Sequence, residues 1–248
     1  MYEYMNVLSN TGLGVCDLRQ HLETEGLIGA VGGDRECEVI CTHVHFDHSG
    51  GAHHFEKVFI HEEDLPGLQN GRQTETLNYV KPNHFHQSPY QGFSARSYKV
   101  PNTTCQHLRD GDRIDLGDGE HLEIMHLPGH TKGSIAIYNP SKEELFTGDF
   151  VYECGLGSRL LDWLPTSSVE DYVDSASRMI GWLAEKDIRT IYPGHFGITK
   201  TPIVSRLLQE YVQDRSNTCA RCCGSCLQAT TWAYFLLGCF RICPCLDL

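Results

Sequence analysis

Short apolar runs separated by turn residues recur through most of the chain and predict an α/β fold. Runs of four or five residues that are apolar throughout, or that alternate apolar and polar positions, are typical of strands. The Asp-Gly pair at 118–119 is typical of a hairpin between two of them. The predicted strands are 38–41, 57–60, 113–116, 121–125, 135–138, 144–147 and 188–192.

Other stretches have the helical period or residues that begin helices. Asp17 is a good N-cap for a helix that carries Leu22 and Leu27 on one side, and Ser168 is a good N-cap for a longer helix. Further helices are predicted at 52–55 and at 201 to about 214. Because strands followed by a helix occur twice, we expect helices on the outside of two packed sheets.

One long stretch, 61–97, has no sustained period and is rich in polar, aromatic, proline and glycine residues. A stretch of this length inside a domain is typically an inserted lid or binding loop, or is disordered. His84 and His86 lie in it, and we interpret them as loop surface, with substrate contact as the alternative. The predicted domain is therefore 1–214 with this insertion, followed by a cysteine-rich hydrophobic tail at 215–248.

The chain has 248 residues, enough to bury a sizeable core, and a formal net charge of -12 with a pI near 5.5. Because this negative net charge repels phosphate groups on average, we do not expect nucleic acid as a partner. The amino end shows no basic segment followed by an apolar stretch, so no secretory signal is visible. We therefore expect an intracellular, cytoplasmic location in which the 12 cysteines are free thiols.

A turn after the first predicted strand holds three histidines and an aspartate in six positions, H-V-H-F-D-H at 43–48. Side chains two apart on an extended backbone share one side, so His43 and His45 can face one ion. The turn then frees Asp47 and His48 to face a second ion beside the first. Imidazole nitrogens with a carboxylate oxygen suit zinc better than iron or manganese. The alternative is a solvated, histidine-rich turn.

Three later segments each place a metal-ligand type just after a strand. Leu-Pro-Gly-His ends at His130, Thr-Gly-Asp ends at Asp149, and Tyr-Pro-Gly-His ends at His195. A glycine precedes each of these side chains, which indicates backbone folded closely around ions. The later segments therefore supply further donors for the two predicted metal shells.

These motifs together resemble those of the metallo-β-lactamase superfamily, which read H-x-H-x-D-H, then H, D and H in this order. The resemblance covers about residues 10–212 and implies an αββα sandwich, with two mixed β-sheets flanked by helices and the metals at one edge. It implies two zinc ions per chain, one held by His43, His45 and His130 and the other by Asp47, His48 and His195, with Asp149 bridging them. The segments at 149–152, 161–165 and 193–196 are most similar to a subgroup associated with acyl-CoA thioester hydrolysis.

Two features depart from the family pattern. Family members usually carry an aspartate at the position of Asn10, where it supports the metal site, and its loss is expected to weaken metal affinity or activity roughly ten- to a hundredfold. Family members also begin with two or three strands before this position, which nine residues cannot supply. We therefore expect a form that lacks the first strands and has an exposed sheet edge.

The implied reaction is hydrolysis of a small-molecule thioester, with acyl-CoA as the expected substrate. A metal-bound hydroxide would attack the carbonyl carbon, and Asp47 is the residue expected to orient it and to move a proton. Lys132 and Arg159 are candidates for holding CoA phosphates, with solvated side chains as the alternative. Tyr152 and Trp163 are candidates for an acyl pocket or for core. A β-lactamase, a glyoxalase-II-like hydrolase and an inactive metal-binding form are the other hypotheses.

The tail differs in composition from the rest of the chain, since seven of the 12 cysteines lie between Cys219 and Cys245. Its apolar run is too short to span a bilayer but is compatible with a membrane surface, and neighbouring cysteines are candidate palmitoylation sites. This pattern predicts peripheral contact with the cytosolic face of the endoplasmic reticulum or plasma membrane. A structural zinc site and a tail without a selected function are the alternatives.

Overall fold

Two β-sheets form the centre of this α/β fold. The computed structural model describes residues 6–29, 37–77, 90–153 and 160–225. The nine strands within these residues are β1 (Asn6–Ser9), β2 (Cys37–Ile40), β3 (Lys57–His61), β4 (Gln106–Leu108), β5 (Arg113–Gly117), β6 (Glu120–His126), β7 (Ile135–Asn139), β8 (Glu144–Gly148) and β9 (Thr190–Pro193). The first sheet has the order β1-β2-β3-β4 and is parallel throughout. The second has the order β5-β6-β7-β8-β9; it is antiparallel from β5 to β8, and β9 is parallel to β8.

Most of the helices in the described residues are short. The α-helices are α1 (Leu18–Thr24), α2 (Phe46–Ser49), α3 (Leu65–Gln69), α4 (Gln73–Thr76), α5 (Val169–Glu185) and α6 (Thr201–Ser225), and the helix predicted at 52–55 is a 3-10 helix, Ala52–His54. The Asp17 side chain accepts a hydrogen bond from the backbone N–H of Gln20 at 2.9 Å, and Ser168 accepts one from Asp171 at 3.3 Å. These bonds satisfy amide groups that have no partner inside their helix. The predicted starts of α1 and α5 are therefore confirmed.

Successive residues of the central strands point to opposite faces of the sheet and pack in different layers of the core. In β2, Val39 packs in the cluster that includes side chains of α1, whereas Ile40 packs in the cluster between the two sheets. In β7, Ile137 joins the cluster between the sheets, whereas Ala136 packs with Tyr172 of α5. The resulting order of helix, sheet, sheet and helix confirms the predicted αββα sandwich. Of the two sheets expected to be mixed, only the second is mixed among the described strands.

The apolar pattern does not predict the strands β1 and β4. Asn6–Ser9 has only two apolar residues, and its strand form depends on parallel pairing with β2, in which Val7 lies opposite Glu38. One strand therefore precedes Asn10, and among the described residues it forms one edge of the first sheet. β4 is three residues long and is likewise defined by pairing with its neighbour, β3.

The stretch 61–97 is not a lid over its whole length. It contains α3 and α4, and Leu68 is fully buried in the same cluster as residues of β2. These helices are only five and four residues long, too short to show a helical period in the sequence. Residues 78–89, which include His84 and His86, lie outside the described residues.

Two helix ends differ from the sequence-based prediction. Leu27 lies beyond α1 and is 61% exposed, because Gly26 adopts a positive φ of 69° that ends the helical path. At the other end of the chain, α6 continues to Ser225 instead of stopping near residue 214, since 215–223 contains neither proline nor glycine.

Contacts divide the chain into two compact units, 1–212 and 213–248. Residues 226–248 lie outside the described residues, so the palmitoylation, tail zinc and membrane contact predicted from the sequence stay predictions. Among the helices of the described residues, none combines the length and the apolar character needed to cross a membrane.

Candidate metal centre

The seven predicted metal ligands follow four different strands and meet at one edge of the fold. The carboxyl ends of β6, β8 and β9 lie at the same edge of the second sheet, because β6 and β8 both run antiparallel to β7 and β9 runs parallel to β8. The side chains form a three-histidine group and a mixed group, namely His43, His45 and His130 in the first and Asp47, His48, Asp149 and His195 in the second. Within each group the potential ligand atoms all lie within 4.8 Å of one another.

The three-histidine group presents imidazole nitrogens to a common point. His45 Nδ1 and His130 Nε2 lie 2.9 Å apart. His43 Nε2 is buried and has no hydrogen-bond partner in the part of the chain that the structure describes. An unpaired buried nitrogen is costly, so this arrangement fits a bound cation that all three nitrogens could coordinate.

The opposite nitrogen of each ring has its own partner. His43 Nδ1 lies 3.1 Å from the Thr42 hydroxyl, and His45 Nε2 lies 3.0 Å from the Thr166 hydroxyl. His130 Nδ1 donates to the carbonyl oxygen of Leu161 at 3.2 Å. Partners of this kind fix the orientation and tautomer of metal-binding histidines.

Burial keeps the three-histidine group in the neutral state that metal ligation requires. It is the first cause of the lowered pKa of His43, His45 and His130, and the neighbouring imidazoles add to it. A neutral imidazole has a free lone pair, whereas an imidazolium does not. The group is therefore ready to bind a cation without first releasing protons.

The mixed group is held by close contacts between carboxylates and imidazoles. Asp149 lies 3.2 Å from Nε2 of both His48 and His195, and Asp47 also lies 3.2 Å from His195 Nε2. The contact to His48 uses Oδ1 of Asp149, whereas Oδ2 contacts His195 and also lies 3.6 Å from His130 Nε2. Asp149 thus contacts both groups, as a ligand shared by two metals would.

The charges in the mixed group favour a cation. Burial raises the pKa of Asp149, but the imidazoles of His48 and His195 outweigh burial and hold that pKa well below its usual range. Hydrogen bonds to Asp149 and Asp47 raise the pKa of His195 to about 10. A metal ion that binds here therefore takes the place of a proton on His195, and its affinity should depend on pH.

Close backbone packing explains one of the glycines beside the ligands. A β-carbon at Gly194 would lie 2.7 Å from Cε1 of His48 and closer still to Oδ1 of Asp149. Any larger residue would therefore displace two members of the mixed group.

Asp64 is a positioning residue that the sequence does not single out. It is buried, and its Oδ2 accepts hydrogen bonds from the Val44 backbone N–H at 3.0 Å and the Thr131 hydroxyl at 2.6 Å. Its Oδ1 accepts one from the Gly133 backbone N–H at 2.9 Å. One carboxylate thereby joins the loop of His43 and His45 to the loop of His130. The only feature of the sequence that could have pointed to Asp64 is its position shortly after a strand, and Glu62 and Glu63 have the same position.

Asn10 supports the centre through Thr42. Its Oδ1 accepts hydrogen bonds from the Thr42 backbone N–H at 2.8 Å and from the Thr42 hydroxyl at 3.0 Å. The same hydroxyl lies beside His43 Nδ1. Asparagine adopts the φ of 65° found here more readily than most residues. The amide oxygen thus occupies a supporting position even though it lacks the charge of an aspartate.

The structure also shows where the candidates for the acyl pocket and for the CoA phosphates lie. Tyr152 is buried with its ring centroid 6.0 Å from that of His195, whereas Trp163 is 60% exposed. Lys132 is exposed, and Arg159 lies outside the described residues. Ser49 is not a catalytic candidate, because its hydroxyl donates to the backbone carbonyl of Val44 at 2.8 Å and so has a structural role.

The sequence model of the metallo-β-lactamase superfamily matches residues 25–195, the range that contains all seven side chains of the two groups. The chain belongs to the metallo-β-lactamase superfamily. Human acyl-coenzyme A thioesterase MBLAC2 is 36% identical over 217 residues, which cover 84% of this chain and 75% of that protein. Hydroxyacylglutathione hydrolase GloC of Haemophilus influenzae is 30% identical over 124 residues, 48% of this chain and 51% of that protein.

Solved structures of the superfamily share the fold. A metallo-β-lactamase from Pontibacter korlensis has a TM-score of 0.57 at 16% identity and covers 84% of each chain. TTHA1623 in a di-iron-bound form has a TM-score of 0.52 at 24% identity, over 77% of this chain and 81% of that one. These likenesses show the fold alone. The superfamily and the thioesterase relatives together identify the chain as a hydrolase.

Proposed function

We propose that this protein is a dinuclear zinc hydrolase that cleaves thioesters, with acyl-CoA as the substrate class. The observation that carries the proposal is the pair of adjoining ligand groups in a chain that is 36% identical to acyl-coenzyme A thioesterase MBLAC2. Five imidazoles and two carboxylates suit zinc; the three-histidine group is uncharged, and both carboxylates lie in the mixed group. When bound, the two ions would polarise the carbonyl group and lower the pKa of an attacking water.

The proposed ligand sets follow the two groups. His43, His45 and His130 would hold one zinc ion. Asp47, His48 and His195 would hold the other, and Asp149 would contact both, as its distances to His130, His48 and His195 allow. The buried, unpaired Nε2 of His43 supports this assignment, because it needs a partner that the described residues do not provide.

Asp47 is the residue that we propose orients the attacking water and moves a proton. Burial raises its pKa, but His48 and His195 outweigh burial, so its pKa is lowered and the carboxylate is ionised at neutral pH. Its side chain is 22% exposed, whereas that of Asp149 is 3% exposed. Asp47 can therefore meet an incoming water and substrate, accept the proton of the water and pass it to the leaving group.

A glutathione thioester is the second candidate substrate. The observation that favours it is the 30% identity to hydroxyacylglutathione hydrolase GloC, although that match covers only 48% of this chain. Both substrates are thioesters, so the ligand groups serve either one equally. What differs is the part of the substrate outside the metal centre.

Turnover of three substrates by zinc-loaded protein tests the proposal. We expect hydrolysis of palmitoyl-CoA to exceed that of S-lactoylglutathione and of a chromogenic cephalosporin. Fast cephalosporin hydrolysis without acyl-CoA turnover would reject the thioesterase assignment. A protein that binds no zinc and hydrolyses none of the three would instead support the inactive form.

Substitution of single ligands links activity to the metals. His130→Ala and Asp149→Ala should each lower both bound zinc and turnover, because both side chains contribute to the clustered groups. His121→Ala is a matched control, since His121 lies in β6 beside Glu123 and belongs to neither group. Elemental analysis of the purified proteins measures the zinc, and unchanged turnover in either ligand variant would contradict the assignment.

A further inference from the structure

Phe196 adopts a backbone conformation that is unfavourable for its side chain. It follows His195 directly and has a φ of 65°, in the left-handed region. Glycine adopts this region freely, whereas a residue with a β-carbon is strained there, and asparagine and aspartate are the usual exceptions. The chain therefore keeps a phenylalanine where glycine would fold more easily.

The ring of Phe196 is also poorly placed for stability. It is 62% exposed, so folding removes little of its apolar surface from water. Its centroid lies 5.2 Å from the ring of Tyr152, and Tyr152 is buried edge-on to His195 at 6.0 Å. The exposed ring thus extends the apolar surface that begins beside the mixed group. Strain and exposure together point to a role in function rather than in folding.

Other exposed apolar side chains occur in the loops that border the metal centre. Ile198 is 67% exposed and lies two residues beyond Phe196. Trp163 is 60% exposed, in a loop whose Thr166 hydroxyl lies 3.0 Å from His45 Nε2. The centre itself is polar and charged. A substrate that fits these surroundings has a polar reacting group and an apolar group that extends outward from it.

We propose that Phe196 is a specificity-determining residue whose ring packs against the acyl chain of the thioester. This inference rests on the proposed function, because a thioester carbonyl at the metal centre places its acyl chain alongside the neighbouring loops. The contact grows with chain length until the ring is covered. Phe196 therefore favours long acyl chains over short ones.

The test is Phe196→Gly, which removes the ring and relieves the backbone strain. We expect an unfolding temperature equal to or above that of the wild type and an unchanged zinc content. The value of kcat/KM should fall roughly 10- to 100-fold for palmitoyl-CoA, as expected for loss of one buried phenyl contact. For acetyl-CoA it should change little. Leu27→Ala is the matched control, since Leu27 is 61% exposed and lies beyond α1; it should leave both substrates unaffected.

Binding of S-hexadecyl-CoA, a thioether that cannot be hydrolysed, separates this inference from the proposed function. Calorimetry should show weaker binding to Phe196→Gly than to the wild type. Equal losses for acetyl-CoA and palmitoyl-CoA, or no loss for either, would overturn the role of Phe196 while the thioesterase assignment stands. A wild-type protein that neither binds S-hexadecyl-CoA nor hydrolyses palmitoyl-CoA would overturn both.

Discussion

Replacing Asp64 with asparagine should weaken zinc binding while leaving the folding stability nearly unchanged. The two carboxylate oxygens of Asp64 accept hydrogen bonds from Val44, Thr131 and Gly133, on both ligand-bearing loops. Asparagine keeps the volume but puts an NH₂ group in place of one oxygen. The NH₂ group faces the backbone N–H of Val44 in one orientation of the side chain and that of Gly133 in the other. Either way, one of the two loops loses its hydrogen bond to residue 64.

The expected change in folding stability is small because two effects oppose each other. Burial raises the pKa of Asp64 from 3.8 to about 6, so keeping the carboxylate charged at neutral pH costs ~3 kcal/mol. Asparagine removes that cost but leaves one buried N–H unsatisfied, which costs about 1–3 kcal/mol. The free energy of unfolding of the metal-free protein should therefore change by less than ~2 kcal/mol. Zinc affinity should instead fall roughly 10- to 100-fold, as for loss of a supporting residue at a metal site.

Two measurements on the same variant check this separation. Competition with a chromophoric chelator gives the zinc affinity, and denaturant unfolding of the metal-free protein gives the stability. Asp110→Asn is the matched control, because Asp110 also accepts a backbone N–H, that of His126 at 2.8 Å, and pairs with Arg178 on the surface. The control should bind zinc as the wild type does. Wild-type affinity in Asp64→Asn would refute the positioning role.

Three further substitutions test the supporting structure. Gly194→Ala should lower zinc affinity more than tenfold, because the added methyl group enters the mixed group. Gly197→Ala is the control and should leave the affinity unchanged, since no described atom lies within 4 Å of the added carbon. Chelator competition measures both affinities, and equal effects would contradict the packing argument. Asn10→Asp should raise zinc affinity by up to roughly tenfold, since a charged acceptor strengthens the hydrogen bonds it receives from Thr42. Weaker zinc binding would contradict the role of residue 10 in supporting the metal centre. Burial and the stacked His126 ring lower the pKa of His61 from 6.5 to about 4, so the folded protein binds fewer protons than the unfolded chain between these values and stability should fall as pH drops from 6.5 to 4. His61→Phe should lose less stability over this window in thermal unfolding, and parallel wild-type and variant curves would disprove the contribution.

Local sequence patterns are sufficient to predict the parts of the centre that depend on chain neighbours. His43 and His45 can be assigned to one side because two-residue spacing on an extended backbone leaves no other choice. Glycine beside a ligand, as at Gly194, reflects a close approach that no other residue permits. That helices lie outside two packed sheets is likewise predictable, since the strand and helix patterns repeat in order, and the family resemblance implies the αββα sandwich.

The parts that sequence reasoning misses depend on tertiary pairing. β1 becomes a strand through its partner β2, because four residues with two apolar side chains have little strand preference of their own. Asp64 becomes important only when the fold brings Val44 and Gly133 to its two oxygens. Leu68 is buried although its short helix lacks a recognisable period. None of these relations is visible along the chain.

The most direct test of the account is anomalous diffraction at the zinc absorption edge from crystals of the protein grown with zinc. The account predicts two anomalous peaks per chain, one bordered by His43, His45 and His130 and one by Asp47, His48 and His195. The side chain of Asp149 should lie between the peaks. A single peak, or peaks remote from these seven side chains, would contradict the proposal of a dinuclear centre.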